Sequence, residues 1–138
     1  VNKFKFLDNR ITSIMVAAEC GSTECLSIIL KHSSKNINLA DLLGYTALIK
    51  AVVKGHYDCV KLLLSCHNIN PNTVTENGDT ALIIASSLSQ IKIVQLLLDH
   101  PDIDINRCNK KGFNAYEVAM QEECFNNADL LSQYMSKK

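Results

Sequence analysis

The 138-residue sequence predicts an all-α fold in which helix-turn-helix units, joined by short turn fingers, stack on one another. Three observations predict it. Thr12, Thr46, Thr80 and Asn114 recur every 34 residues, and Ala17, Ala51, Ala85 and Ala119 keep the same step, as do Ile29, Leu63, Leu97 and Leu131. A fixed period of this length marks supersecondary units that bury an apolar face only against a neighbour. Within each copy the apolar residues fall at helical spacing, and glycines punctuate the pattern.

The elements follow in order within the second copy. Leu48 and Ala51 share one face of a first helix, and Val60, Leu63 and Leu64 share one face of a second. Between them stands Gly55, which supplies the left-handed backbone that ends a helix. Alanine at 17, 51, 85 and 119 is the smallest helix-compatible side chain, so successive units can approach closely there. Gly44, Gly78 and Gly112 recur where the chain must reverse, and Asn77-Gly78 is a strong turn dipeptide. Each unit therefore reads as a turn, a helix of about two turns, a tight bend, a second helix and an extended return.

The stretch Gly44-Tyr45-Thr46-Ala47-Leu48-Ile49-Lys50-Ala51, continuing through Gly55-His56 and Val60 to Leu64 and closing on Asn70-Pro71-Asn72, resembles an ankyrin repeat. The third copy matches from Gly78-Asp79-Thr80-Ala81-Leu82 to Asn106, and the first from Thr12 through Ala17, Ala18, Gly21 and Leu30 to Asn38. The resemblance implies an ankyrin-repeat solenoid with a right-handed, curved stack. It also implies one domain over residues 1–138, with repeats at about 8–41, 42–75, 76–109 and 110–138, the first and last acting as caps. Arg10 takes the turn-glycine position of the first copy, and Val1 to Asp8 does not continue the pattern backwards. In the last copy Glu122-Glu123 and Asn126-Asn127 put polar groups where the second carries Lys54-Gly55 and Asp58-Cys59, and these are expected to meet water.

Departures from the family pattern carry expectations of their own. Thr46-Ala47-Leu48-Ile49 and Thr80-Ala81-Leu82-Ile83 stand where the family has Thr-Pro-Leu-His. Alanine is the best helix former, so losing proline costs little. Losing histidine leaves Ile49 and Ile83 to make apolar contact in place of a hydrogen-bond network. The period is one residue longer than the common one, and the extra residue is placed in the loops His67-Asn68-Ile69 and Pro101-Asp102-Ile103, where an insertion costs little.

Composition bounds the function. A chain of this length buries about 68–70 per cent of its unfolded surface, and 47% hydrophobic residues supply a core. No apolar run approaches the roughly 20 residues that span a bilayer. The N-terminus, Val1-Asn2-Lys3-Phe4-Lys5-Phe6, lacks a signal-like apolar block, so an intracellular, cytoplasmic monomer is expected. Fourteen basic residues cancel 14 acidic ones, which disfavours nucleic acid as a partner.

Site chemistry is equally sparse. Cys25 and Cys59 stand one period apart, so stacking separates them by about 8–10 Å, beyond the roughly 7 Å limit of a disulfide; reduced thiols are expected. His32, Cys66 and His100 also repeat at one period, and a ladder of donors cannot converge on one metal. His56 is expected to cap or pack at the bend between helices. There is no nucleophile elbow and no phosphate-cradling loop, and the adjacent carboxylates of Glu122-Glu123 point apart on a helix. No catalysis, metal or cofactor is expected.

What remains is a surface for another protein. The resemblance implies binding through the turn tips and the first-helix face, which line a concave groove. Carried over by position, the tips are Asp41, Leu42, Leu43 and Tyr45, then Glu76, Asn77 and Asp79, then Lys110, Lys111 and Phe113. First-helix ends add Glu19, Cys20, Val53, Lys54, Ser87, Leu88, Gln121 and Glu122. Turns prefer polar residues, so Leu42-Leu43-Tyr45 stands out as an apolar anchor, against the alternative that a leucine folds back onto the next unit. Two other readings are a targeting or autoinhibitory portion of a larger enzyme and a small competitive inhibitor of another protein.

Overall fold

The computed structural model describes residues 11–137; Arg10, the stretch from Val1 to Asp8 and Lys138 lie outside the described residues. Among the described residues the fold is all-α, with no strand. The helices are α1 (Ser13–Cys20), α2 (Thr23–His32), α3 (Ala47–Lys54), α4 (Tyr57–Leu64), α5 (Ala81–Ser87), α6 (Ile91–Leu98), α7 (Ala115–Gln121) and α8 (Phe125–Ser136). The chain falls into two compact units that part between Asn70 and Pro71, so α1 to α4 belong to one and α5 to α8 to the other.

The residues repeating from Thr12 are helix N-caps. Thr12, Thr46 and Thr80 accept the backbone N–H of Met15, Ile49 and Ile83, each at 3.2 Å. Asn114 accepts that of Glu117 at 2.9 Å, and the Glu117 carboxylate returns to the Asn114 N–H at 3.1 Å, a complete capping box. Each such cap stabilises its helix by about 1 kcal/mol. At the other end, α1 and α3 stop on Gly21 (φ 74°) and Gly55 (φ 73°), both left-handed. The same register in the second unit holds Ser89 (φ 58°) and Glu123 (φ 59°), which adopt this conformation without being glycine.

Packing follows the period. In the first unit α1 lies on α3 and α2 on α4; in the second, α5 lies on α7 and α6 on α8. Ala17, Ala51, Ala85 and Ala119 are all buried, as are Leu63, Leu97 and Leu131, whereas Ile29 and Leu64 are half-buried. Ile49 and Ile83 are both buried. His67-Asn68-Ile69 and Pro101-Asp102-Ile103 lie in turns, with both isoleucines anchored in the core.

Polar contacts tie neighbouring repeats within each unit. Asn38 Nδ2 donates to Asn68 O at 2.7 Å while its Oδ1 accepts Asn70 N–H at 2.8 Å. Asn72 does the same in the second unit with Asp102 O at 2.7 Å and Asp104 N–H at 2.8 Å. His56 packs at the bend: its ring lies against Gly21, where a Cβ would approach to 2.7 Å, and Nε2 sits 3.0 Å from Glu19 O. At the end of the second unit, Tyr134 on α8 donates to Asp99 Oδ1 at 2.6 Å and accepts from Gln95 Nε2 at 2.5 Å. That bond to the Asp99 carboxylate, more than burial, pushes the Tyr134 hydroxyl above the usual phenol range.

One expectation is corrected. Glu122, Glu123 and Asn126 meet water, but Asn127 does not: it is buried, and its Nδ2 donates to Ser86 O at 3.0 Å. Its register is that of Cys59, which lies inside the first unit beside Thr23, so the position belongs to the packing between repeats whatever residue fills it.

Candidate functional site

Three turn fingers share one frame. In the first, Asp41 N–H donates to Tyr45 O and Gly44 N–H to Asp41 O, both at 3.0 Å. Thr75 pairs likewise with Asp79 and Gly78, and Asn109 with Phe113 and Gly112. The side-chain oxygen at the finger's first position completes the turn. Asp41 Oδ1 accepts Leu43 N–H at 3.0 Å and Tyr45 N–H at 2.9 Å, and Asn109 Oδ1 accepts Lys111 N–H at 3.0 Å and Phe113 N–H at 3.1 Å. Thr75 Oγ1 accepts Asn77 and Asp79 N–H, each at 3.3 Å. Asp, Thr and Asn are interchangeable here because each offers one acceptor at that reach.

The turn is thus closed by backbone groups and the first-position side chain, with no bond drawn from the two side chains at each tip. Leu42 is 63% and Leu43 51% exposed, so neither leucine folds back into the core. Tyr45 is half-buried at the finger's return. Behind it a cleft of ≈ 200 Å³ is lined by Leu43 and Tyr45 from the finger, Lys50, Val53 and Lys54 from α3, and Glu19 at the end of α1, with Asp41 at the finger's base.

An ion triplet sits in this cleft. Lys50 Nζ lies 3.0 Å from Asp41 Oδ2 and 3.5 Å from Glu19 Oε2, and 5.9 Å from the centre of the Tyr45 ring. The Lys50 and Asp41 side chains are only 13% and 12% exposed, against 44% for Glu19. Burial acts to raise the Asp41 pKa, but the Tyr45 N–H, the Lys50 ammonium and the Leu43 N–H together outweigh it and hold the carboxyl below its ordinary value.

In the second unit, Asn77 and Asp79 of one finger and Lys110 and Lys111 of the next line a second cleft together with Asn109. Lys110 N–H donates to Asn77 O at 3.0 Å, and Asn109 Nδ2 to Asp79 Oδ1 at 3.0 Å. Glu76, Lys110 and Lys111 are exposed at their tips, Phe113 is half-buried, and Leu88 is exposed just beyond α5. Leu42, Glu76, Leu88 and Phe113 lie outside the two clefts. Of the other first-helix ends, Cys20, Gln121 and Glu122 are exposed and Ser87 is half-buried.

Sequence reasoning missed Lys50 and Asn109. Lys50 is the only charged residue in the apolar run from Ala47 to Val53, a signal that could have marked it. Asn109 shares its register with Asp41 and Thr75, and a comparison of acceptor side chains at that step would have found it.

All six cysteines are free thiols. Among the described residues no three His, Cys, Asp or Glu side chains gather as metal ligands. No helix among them is long and apolar enough to cross a membrane. No curated protein matches the chain. The family model for ankyrin repeats matches residues 1–75 and again 66–138. With the period, the capped helix pairs and this match in agreement, the chain belongs to the ankyrin-repeat family.

Proposed function

We propose that this protein is a noncatalytic interaction module that binds a partner protein through its turn tips and first-helix ends. Ankyrin repeats are protein-interaction modules as a family, and one feature supports this surface in particular: the exposed apolar pair Leu42-Leu43 at the tip of a finger whose backbone needs neither side chain. Large apolar groups held out on a rigid turn have the character of interface anchors, which contribute most of the energy of association. Val53 and Lys54 extend the surface along α3, while Glu76, Asn77, Asp79, Leu88, Lys110, Lys111 and Phe113 form its counterpart in the second unit. The balance of 14 basic against 14 acidic residues supports a protein partner over nucleic acid.

The double variant Leu42→Ser, Tyr45→Ser tests the proposal. Affinity capture from the native cell, with the retained proteins identified by mass spectrometry, should lose its specific partner while the thermal melt of the variant stays within a few degrees of the parent. Undiminished capture, or a collapsed melt, would remove these residues from the binding surface.

A further inference from the structure

We propose that the cleft beside the first finger receives a partner segment in which a large apolar side chain stands next to an aspartate or glutamate side chain. This deepens the interaction reading above and rests on it. Leu43, Tyr45 and Val53 give the cleft three apolar walls around ≈ 200 Å³, suited to one bulky side chain. The charge requirement comes from the uneven grip on Lys50. Asp41 holds it at 3.0 Å and is itself committed to two backbone N–H groups, so it stays in place. Glu19 holds it only at 3.5 Å and is nearly half exposed, so it is the exchangeable partner.

Lys50 carries three N–H donors, and the fold has already stripped most of its water. An incoming carboxylate that takes Glu19's place preserves the charge pattern around a desolvated ammonium, and Glu19 swings into solvent at little cost. At the rim, Lys54 is exposed and has no ion-pair partner among the described residues, which adds a second attraction for an acid. A basic segment would meet two ammonium groups, with the better-placed carboxylate already engaged. Complementarity of this kind sets which segment enters more than how tightly it holds.

The test is a random twelve-residue peptide library displayed on phage and selected on the immobilised full chain. Enriched peptides should carry Leu, Ile, Met or Phe within two positions of Asp or Glu. Their synthetic, C-terminally amidated forms should bind at least about tenfold more weakly to Lys54→Glu and to Val53→Asp, and a few-fold more tightly, on the order of threefold, to Glu19→Gln. Circular dichroism melts of the three variants guard against unfolding. Enrichment of basic peptides, no enrichment, binding that needs a free C-terminal carboxylate, or indifference to both Lys54→Glu and Val53→Asp would overturn the proposal. Should the selected peptides depend on Leu42, which lies outside the cleft, but not on Val53 or Lys54, the interaction surface stands and the cleft assignment alone falls.

Discussion

Ser89 and Glu123 occupy a backbone conformation that Gly21 and Gly55 occupy in the same register. A side chain in the left-handed region costs roughly 1–2 kcal/mol, while glycine there adds unfolded-state entropy that offsets part of the gain. Ser89→Gly is therefore expected to stabilise the protein by about 0.5–1 kcal/mol, read as a higher urea midpoint with an unchanged slope. A lower midpoint would mean that the 3.1 Å contact between Ser89 Oγ and Cys124 Sγ outweighs the strain. The converse substitution, Gly21→Ala, forces both a disfavoured φ and a 2.7 Å approach to the His56 ring. It should lower stability by about 1–3 kcal/mol, and pairing it with His56→Ala should recover part of the loss. A pair of variants that merely add would show that the ring does not bear on Gly21.

At the scale of the element, the finger is a backbone turn stapled by one side-chain oxygen. Asp41→Asn keeps that oxygen, as Asn109 does in the last finger, but removes the charge that holds Lys50. The cost at neutral pH should be about 1–3 kcal/mol. Because the Asp41 carboxyl is held below its ordinary value of 3.8, its contribution is present above that pH and is lost as pH falls through the folded-state value. The stability gap between the parent and Asp41→Asn should accordingly be constant near neutrality and close as pH falls below 3.8 and through the lower folded-state value. Denaturant titrations across that range check it, and a gap that persists at the acid end would mean the ion pair is not its source.

At the scale of the molecule, native thiol chemistry separates the six cysteines by position. Cys20, Cys25 and Cys108 are exposed, Cys59 and Cys124 are buried, and burial pushes the half-buried Cys66 thiol up. Brief iodoacetamide treatment followed by peptide mass spectrometry should modify the first three, Cys66 more slowly, and the buried pair only after denaturation; early loss of Cys59 would contradict the packing of α2 on α4. The repeated helices, the tight alanines and the turns were legible because they depend on local physics that recurs at every copy. Thr12, Thr46 and Thr80 announced the period, though their work as caps emerged only with the hydrogen bonds. Lys50 was not legible as a cleft residue, since Glu19 meets it only through the stacking of α1 on α3, and Asp41 only through the closure of the first finger in front of α3. Asn127 misled for a related reason: a polar residue looks like surface until its buried register is known. The self-sufficient finger carries one further consequence. Leu42-Leu43, Glu76-Asn77 and Lys110-Lys111 fill the same two slots of three such turns, one pair greasy, one mixed and one cationic, so closing the turn makes no demand on these side chains, and under the proposed function they are the slots in which recognition is retuned two letters at a time.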